Sequence, residues 1–203
     1  LADLLLWDGV VGEGVVALRD GALVGGWRYA GADMKSATVH ERNALSRRLS
    51  DALRPCAGGW MFHADSVRRP AARYARPGAF PDPVTRLIEE ERRRAYEGRT
   101  SEGRVEGETG FFETDYYLVA TYRPPKAFYG RLSRFFLRGG AARVRAEIDQ
   151  LTRHFEQALQ ALEMRVGSSL AMERLTTPAL VHHLHACLTG EDHPVRPPDP
   201  AYP

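Results

Sequence analysis

Residues Asp115 to Arg123, closed by Pro124 and Pro125, constrain the fold of this chain more than any other stretch. In an extended backbone Tyr116, Leu118, Ala120 and Tyr122 fall on one side, and Tyr117, Val119, Thr121 and Arg123 on the other. β-branched and aromatic residues dominate, and both sides are largely apolar. The pattern predicts a strand covered on both faces for much of its length. Neither proline carries an amide donor, so sheet pairing should stop there.

Partners for that strand are legible upstream. Leu4, Leu5, Leu6 and Trp7 make a short apolar opening, and Gly14 to Arg19 reads as a strand. Asp20-Gly21 signals a tight type I′ turn, and Ala22 to Tyr29 returns as the partner, with Gly25-Gly26 expected as a bulge. A β-hairpin over residues 14–30 follows. Trp60 to Ala64 is the next strand, and residues 66–81, with four arginines and three prolines, read as an extended surface segment.

Helices should pack on this sheet. Thr38-Val39-His40-Glu41 is a capping box that opens a helix ending at Pro55, with Leu45, Leu49, Ala52 and Leu53 on one face. Asp82-Pro83 opens a second, running to about Glu97 and expected to bury Val84, Leu87, Ile88 and Ala95. Its run Glu89 to Arg94 reads as a solvated face whose glutamates pair with arginines three or four residues on. Residues 98–110, with four glycines among polar residues, read as a mobile loop.

Two later stretches are candidate contact surfaces. Lys126 to Arg138 holds Lys126, Arg131, Arg134 and Arg138 with no acid among them, interleaved with Phe128, Tyr129, Leu132, Phe135, Phe136 and Leu137. As a helix it places aromatics on one side and arginines on the other. Such a helix lies on an anionic membrane surface, docks a partner, or packs its aromatics on its own sheet. After Gly139-Gly140, a helix from Ala141 to about Arg165 carries Val144, Ile148, Leu151, Phe155, Ala158 and Leu162 at alternating steps of four and three. That seam suits packing within the chain or a subunit contact. Thr176-Thr177-Pro178 caps a last helix ending at Gly190, and residues 192–203, with five prolines, read as an extended linker.

Catalytic signatures are scarce. Lys35 follows Met34 and Lys126 follows Pro125, so Gly-x-x-x-x-Gly-Lys-Ser/Thr is absent, and with it a P-loop phosphate cradle. Gly-x-Ser-x-Gly is absent, and Cys56 and Cys187 form no Cys-x-x-Cys pair. They read as free thiols of a reducing cytosol. His182 and His185, three apart on the last helix, offer a weak metal-binding pattern. Against it, Leu180, Leu184, Cys187 and Leu188 define an apolar face, which makes Cys187 a small core residue. No metal site, cofactor site or catalytic residue is therefore assigned. A net charge of +2 is too near neutral to demand a polyanion partner. No apolar run approaches the ~18–20 residues of a membrane-spanning helix. Opening on Leu1 rather than Met, the chain reads as a piece of something longer.

Taken together, several of these stretches resemble one family. They are Leu1 to Leu5 with Trp7, the turn at Asp20-Gly21, Gly59-Trp60 through Arg69, Tyr74, and Phe80 to Pro83. Glu91 to Arg93, Tyr116 to Pro125, and Leu175-Thr176 through Leu184 to Gly190 continue the match in order. This is similar to the N-terminal region of the CagE/TrbE/VirB family of type IV secretion and conjugal-transfer ATPases. The resemblance implies a cytoplasmic ATPase, peripheral to the bacterial inner membrane, that self-assembles and energises pilus assembly and transfer. It implies that ATP and magnesium belong to a C-terminal domain absent from this chain, beyond the proline-rich end. What it leaves for this region is docking to other subunits of the inner-membrane complex.

The reading is an α+β protein with a mostly antiparallel sheet, packed helices and a helical C-terminal portion. Residues 1–138 form the sheet domain, 139–190 the helical portion packed on or extending from it, and 191–203 the linker. The leading function is an assembly and docking domain. A nucleic-acid-binding module using the arginine-rich segments is the alternative, and an enzyme with a dispersed site is the third possibility.

Overall fold

The computed structural model describes residues 7–31, 34–70, 82–100, 112–125, 141–191 and 193–196. The strands are β1 (Trp7–Gly12), β2 (Val15–Leu18), β3 (Leu23–Gly31), β4 (Trp60–Pro70), β5 (Phe112–Tyr122) and β6 (Leu170–Arg174). The helices are α1 (Val39–Leu53), α2 (Pro83–Thr100), α3 (Ala141–Val166) and α4 (Thr177–Thr189). Together they make the α+β fold with a mostly antiparallel six-stranded sheet, in the order β1-β2-β3-β5-β4, with β6 also on β3. The chain divides into two compact units, Leu1–Asp65 with Tyr116–Pro203, and Ser66–Asp115.

In the larger unit β3 is the axis. Leu23 pairs with both Ala17 and Tyr122, and Trp27 with both Leu118 and Arg174. Strands β2 and β6 therefore lie end to end along one edge of β3, and β5 fills the other. The β5 ladder stops at Tyr122, before the two prolines that cannot donate. The hairpin turn is looser than the type I′ form. Leu18 N–H donates to Ala22 O, Gly21 N–H donates to Leu18 O, and only Gly21 of the turn has positive φ, at 76°. That is a three-residue loop closed by a left-handed glycine. Gly25 and Gly26 form no bulge, since they stay in register opposite Ala120 and Val119. Glycine is there for close approach: a Cβ on Gly26 would lie 3.0 Å from the Leu118 carbonyl oxygen. The register shifts fall instead between β1 and β2.

Both faces of the sheet are covered where Leu23–Trp27 pairs with Leu118–Tyr122, while Phe112, Tyr116 and Met61 stay exposed. On one side Val15, Leu23, Trp27 and Ala120 meet Leu151, Phe155, Leu159, Leu162 and Val166 of α3, with Ala52 of α1 beside them. Trp60 stacks on Phe155 at 5.5 Å and lies 4.8 Å from the Tyr122 ring. The capping box of α1 is formed, with Glu41 N–H donating to Thr38 Oγ1 and Thr38 N–H to Glu41 Oε2. Residues alternate along β5, so Tyr117 and Val119 face the opposite side, where α4 packs through Leu180 and His183.

Of the predicted seam, Leu151, Phe155 and Leu162 are buried in this core and Ile148 and Ala158 are half-buried. Val144 lies on α3, its side chain outside the described part. The buried stripe takes Leu159 rather than Ala158, because a straight helix on a sheet tracks its own 3.6-residue period and not a 3.5-residue heptad.

Three further expectations are extended or corrected. The helical C-terminal portion, 139–190, also holds a strand, β6, that the sequence did not announce. The Trp60 strand continues to Pro70. In the smaller unit, α2 does not bury its apolar residues: Val84, Leu87 and Ile88 are 61%, 63% and 48% exposed. Amphipathic spacing gave α2 a face, but its stripe stands in water. The segments 101–111 and 126–138 lie outside the described residues, and so does most of 192–203.

Candidate functional site

Three side chains with chemistry converge where α4 meets the sheet. Helix α4 starts at Thr177 with Pro178 in its first turn, where a missing amide costs nothing. Thr176 occupies the N-cap position but makes no side-chain cap. The Thr177 amide and hydroxyl are met from the β1–β2 turn instead. Thr177 N–H and Oγ1–H donate to the Glu13 carboxylate at 3.0 and 3.1 Å, and Gly14 N–H donates to Thr177 Oγ1 at 2.9 Å. At the other end Gly190 adopts φ 73° and its N–H donates to Ala186 O. Both ends are fixed, so the rotation of α4 about its axis is fixed too.

That rotation aims Leu180 and His183 at the sheet and leaves Leu188 and Cys187 exposed. Cys187 is thus not the core residue expected from the apolar spacing. The inward face is turned because β5 offers a ring and β4 a carboxylate. His183, 3% exposed, stacks on Tyr117 with ring centroids 4.2 Å apart. Its Nε2 lies 3.2 Å from Asp65 Oδ2 and 3.6 Å from Cys187 Sγ. Partial burial, with the Asp65 carboxylate next in importance, pushes the Cys187 thiol above its usual range.

Asp65, His183 and Cys187 are the one group of three potential metal ligands among the described residues, their ligand atoms within 4.8 Å of one another. The histidines of the sequence pattern are not the ones brought together. His182 and His185 belong to no such group among the described residues, and His185 sits edge-on to His193 instead. The i, i+4 spacing of His183 and Cys187 was visible in the sequence, but Asp65 is 118 residues away and nothing local announced it.

The other candidates fare differently. Lys126, Phe128, Tyr129, Arg131, Leu132, Arg134, Phe135, Phe136 and Arg138 all lie outside the described residues. The Glu–Arg run of α2 pairs with itself: Arg94 is 2.7 Å from Glu91 and 3.9 Å from Glu90, and Arg92 is 4.0 Å from Glu89. Leu87, Ile88 and Ala95 line an open apolar groove along that helix with Glu91 and Arg92. No helix among the described residues is long and apolar enough to cross a membrane.

Comparison with known proteins agrees with the motifs. Residues 14–128 match the family model of the type IV secretion system ATPase VirB4/TrbE, N-terminal domain. The conjugal transfer protein TrbE of Rhizobium radiobacter is 32% identical over 214 residues, covering 98% of this chain. The chain spans only 25% of that protein's length. In Sinorhizobium fredii (strain NBRC 101917 / NGR234), the first portion of a probable conjugal transfer protein TrbE is 42% identical over 128 residues, 62% of this chain and 80% of that protein. With the matching β-hairpin, the β4 segment and β5 all in one sheet, the chain belongs to the VirB4/TrbE N-terminal domain family of conjugal-transfer and type IV secretion ATPases.

Proposed function

We propose that this domain is a non-catalytic assembly and docking module of a conjugal-transfer ATPase, held peripherally at the bacterial inner membrane. Family membership carries the reading, together with a sequence whose two lysines both lie outside any Gly-x-x-x-x-Gly-Lys-Ser/Thr cradle. ATP hydrolysis then belongs to a separate domain of the parent protein. The purified chain should hydrolyse no ATP above the level of a mock preparation, and turnover that persists through repeated purification sinks the non-catalytic half of the proposal.

Docking is assigned to residues 126–138, where arginines without neighbouring acids accompany four phenylalanine and tyrosine rings. Each basic residue near an anionic surface contributes ~1 kcal/mol, so Arg131→Glu, Arg134→Glu and Arg138→Glu together should weaken binding on the order of 10²-fold. Flotation with anionic vesicles and co-purification with the inner-membrane subunits read this out. Unchanged binding to both refutes the assignment. Submicromolar DNA retention at physiological salt would replace docking with nucleic-acid binding, because phosphate contacts weaken steeply as salt rises.

A further inference from the structure

The cluster at the β4–α4 contact is separate in sequence from residues 126–138, and it brings three potential ligand atoms together. A proton relay from Cys187 through His183 to Asp65 would need the thiol and the carboxylate on different ring nitrogens. Both instead face the same atom, His183 Nε2, at 3.6 and 3.2 Å. Three donors around one point suit a shared cation. In a tetrahedral zinc site, with Zn–N and Zn–O of ~2.0–2.1 Å and Zn–S of ~2.3 Å, neighbouring ligands stand about 3.3 Å (N to O) and about 3.6 Å (N to S) apart. The two observed edges match those lengths. The third, from an Asp65 carboxylate oxygen to Cys187 Sγ, lies within 4.8 Å.

We propose that Asp65 Oδ2, His183 Nε2 and Cys187 Sγ bind a zinc ion, with water in the fourth position on the exposed Cys187 side, so that the metal ties β4 to α4. A mixed N, O and S donor set is zinc chemistry and discriminates against magnesium and calcium, which take oxygen ligands. The imidazole is set in advance by its stack on Tyr117, and by a helix whose two ends are independently anchored. Only the two outer ligands, half-buried Asp65 and exposed Cys187, have to adjust.

The test uses the whole chain, reduced and stripped of metal, with cobalt(II) as a spectroscopic probe. One equivalent should produce a thiolate-to-cobalt charge-transfer band in the near ultraviolet, and zinc should abolish it by displacement. Saturating zinc, at about 100 times its Kd, should raise the thermal midpoint by roughly 5–10 °C. Cys187→Ala should remove the band, and Asp65→Asn should weaken zinc binding at least about 100-fold, since even outer-shell partners of a metal are worth ~10–100-fold. Cys56→Ala and the His182→Ala, His185→Ala double variant should keep both signals. His183 is deeply buried and its variants can lose the fold for that reason alone, so the exposed Cys187 and the half-buried Asp65 carry the decision. No band in the parent chain, a band that survives Cys187→Ala, or one that disappears in the His182 and His185 double variant each overturns the proposal.

Discussion

Helix α3 buries Leu151, Phe155, Leu159, Leu162 and Val166 in its unit's core, whereas α2 leaves Val84, Leu87 and Ile88 between 48% and 63% exposed. Both helices repeat apolar residues at helical spacing, and both are long, 26 and 18 residues. The difference lies in what each stripe meets. Opposite α3 stands a sheet face carrying Trp27, Trp60, Ala120 and Tyr122, shaped to receive large side chains. Opposite α2's stripe lies an open groove. Apolar periodicity therefore specifies which side of a helix avoids water without specifying what will cover it. For α3 the cover is in the same chain.

The largest effect expected from this contrast is at the centre of α3. Phe155 is fully buried and stacks on both Trp60 and Tyr122, so Phe155→Ala removes a large apolar volume from the centre of the core. Urea denaturation should show a cost of ~3–5 kcal/mol. A cost below ~1 kcal/mol would mean that α3 is not what holds the sheet face together.

A smaller effect is expected where α1 begins. Thr38→Ala deletes the acceptor for the Glu41 amide and should cost ~1 kcal/mol, again by denaturation. The sign of its pH dependence follows from Glu41, whose carboxylate is held below its ordinary value of 4.5, first by the Thr38 backbone amide and then by its hydroxyl. A depressed carboxylate stabilises the fold above the unfolded value and loses that contribution as pH falls through the folded one. The gap between wild type and Thr38→Ala should therefore be full at neutral pH and shrink below 4.5. Only the hydroxyl's share of that depression is lost in Thr38→Ala, since the residue-38 amide still donates to Glu41, so a gap that grows on acidification would show that the hydroxyl does not favour the ionised carboxylate.

These cases also show which regions of the molecule were legible in the sequence. Local signals read well, because the responsible residues are neighbours in the chain: the Thr38–Glu41 box, the Asp20-Gly21 reversal and the stop at Pro124 all act within a few residues. The family resemblance was legible for the same reason, as an ordered series of short motifs. What failed was set by distant partners. Leu170 to Arg174 contains Leu, Ala, Met, Glu and Arg, good helix formers, yet it is a strand because the edge of β3 beyond Val24 was open to pairing. The inward face of α4 was misjudged by one position along the helix. His183 outcompeted the apolar residues for the interior because Tyr117 and Asp65 were waiting for it, and neither lies near it in sequence.

The smallest expected effect is the one that tests the comparison most directly. Replacing Leu87 and Ile88 together by Gln keeps helix propensity nearly constant, since Leu and Gln are similar helix formers and Ile is slightly worse. Any change in stability then reports burial alone. If the stripe of α2 stands in water, as its exposure states, Leu87→Gln with Ile88→Gln should shift the unfolding free energy by no more than ~0.5 kcal/mol, the ordinary range for surface positions. The same pair of changes at Leu159 and Leu162, both fully buried, would put two unpartnered amides into the core and should prevent cooperative folding. A loss above ~1.5 kcal/mol for the α2 pair would mean that its side chains are covered in solution. If that loss grows with protein concentration, the cover is a second copy of the chain, because only an intermolecular contact responds to mass action.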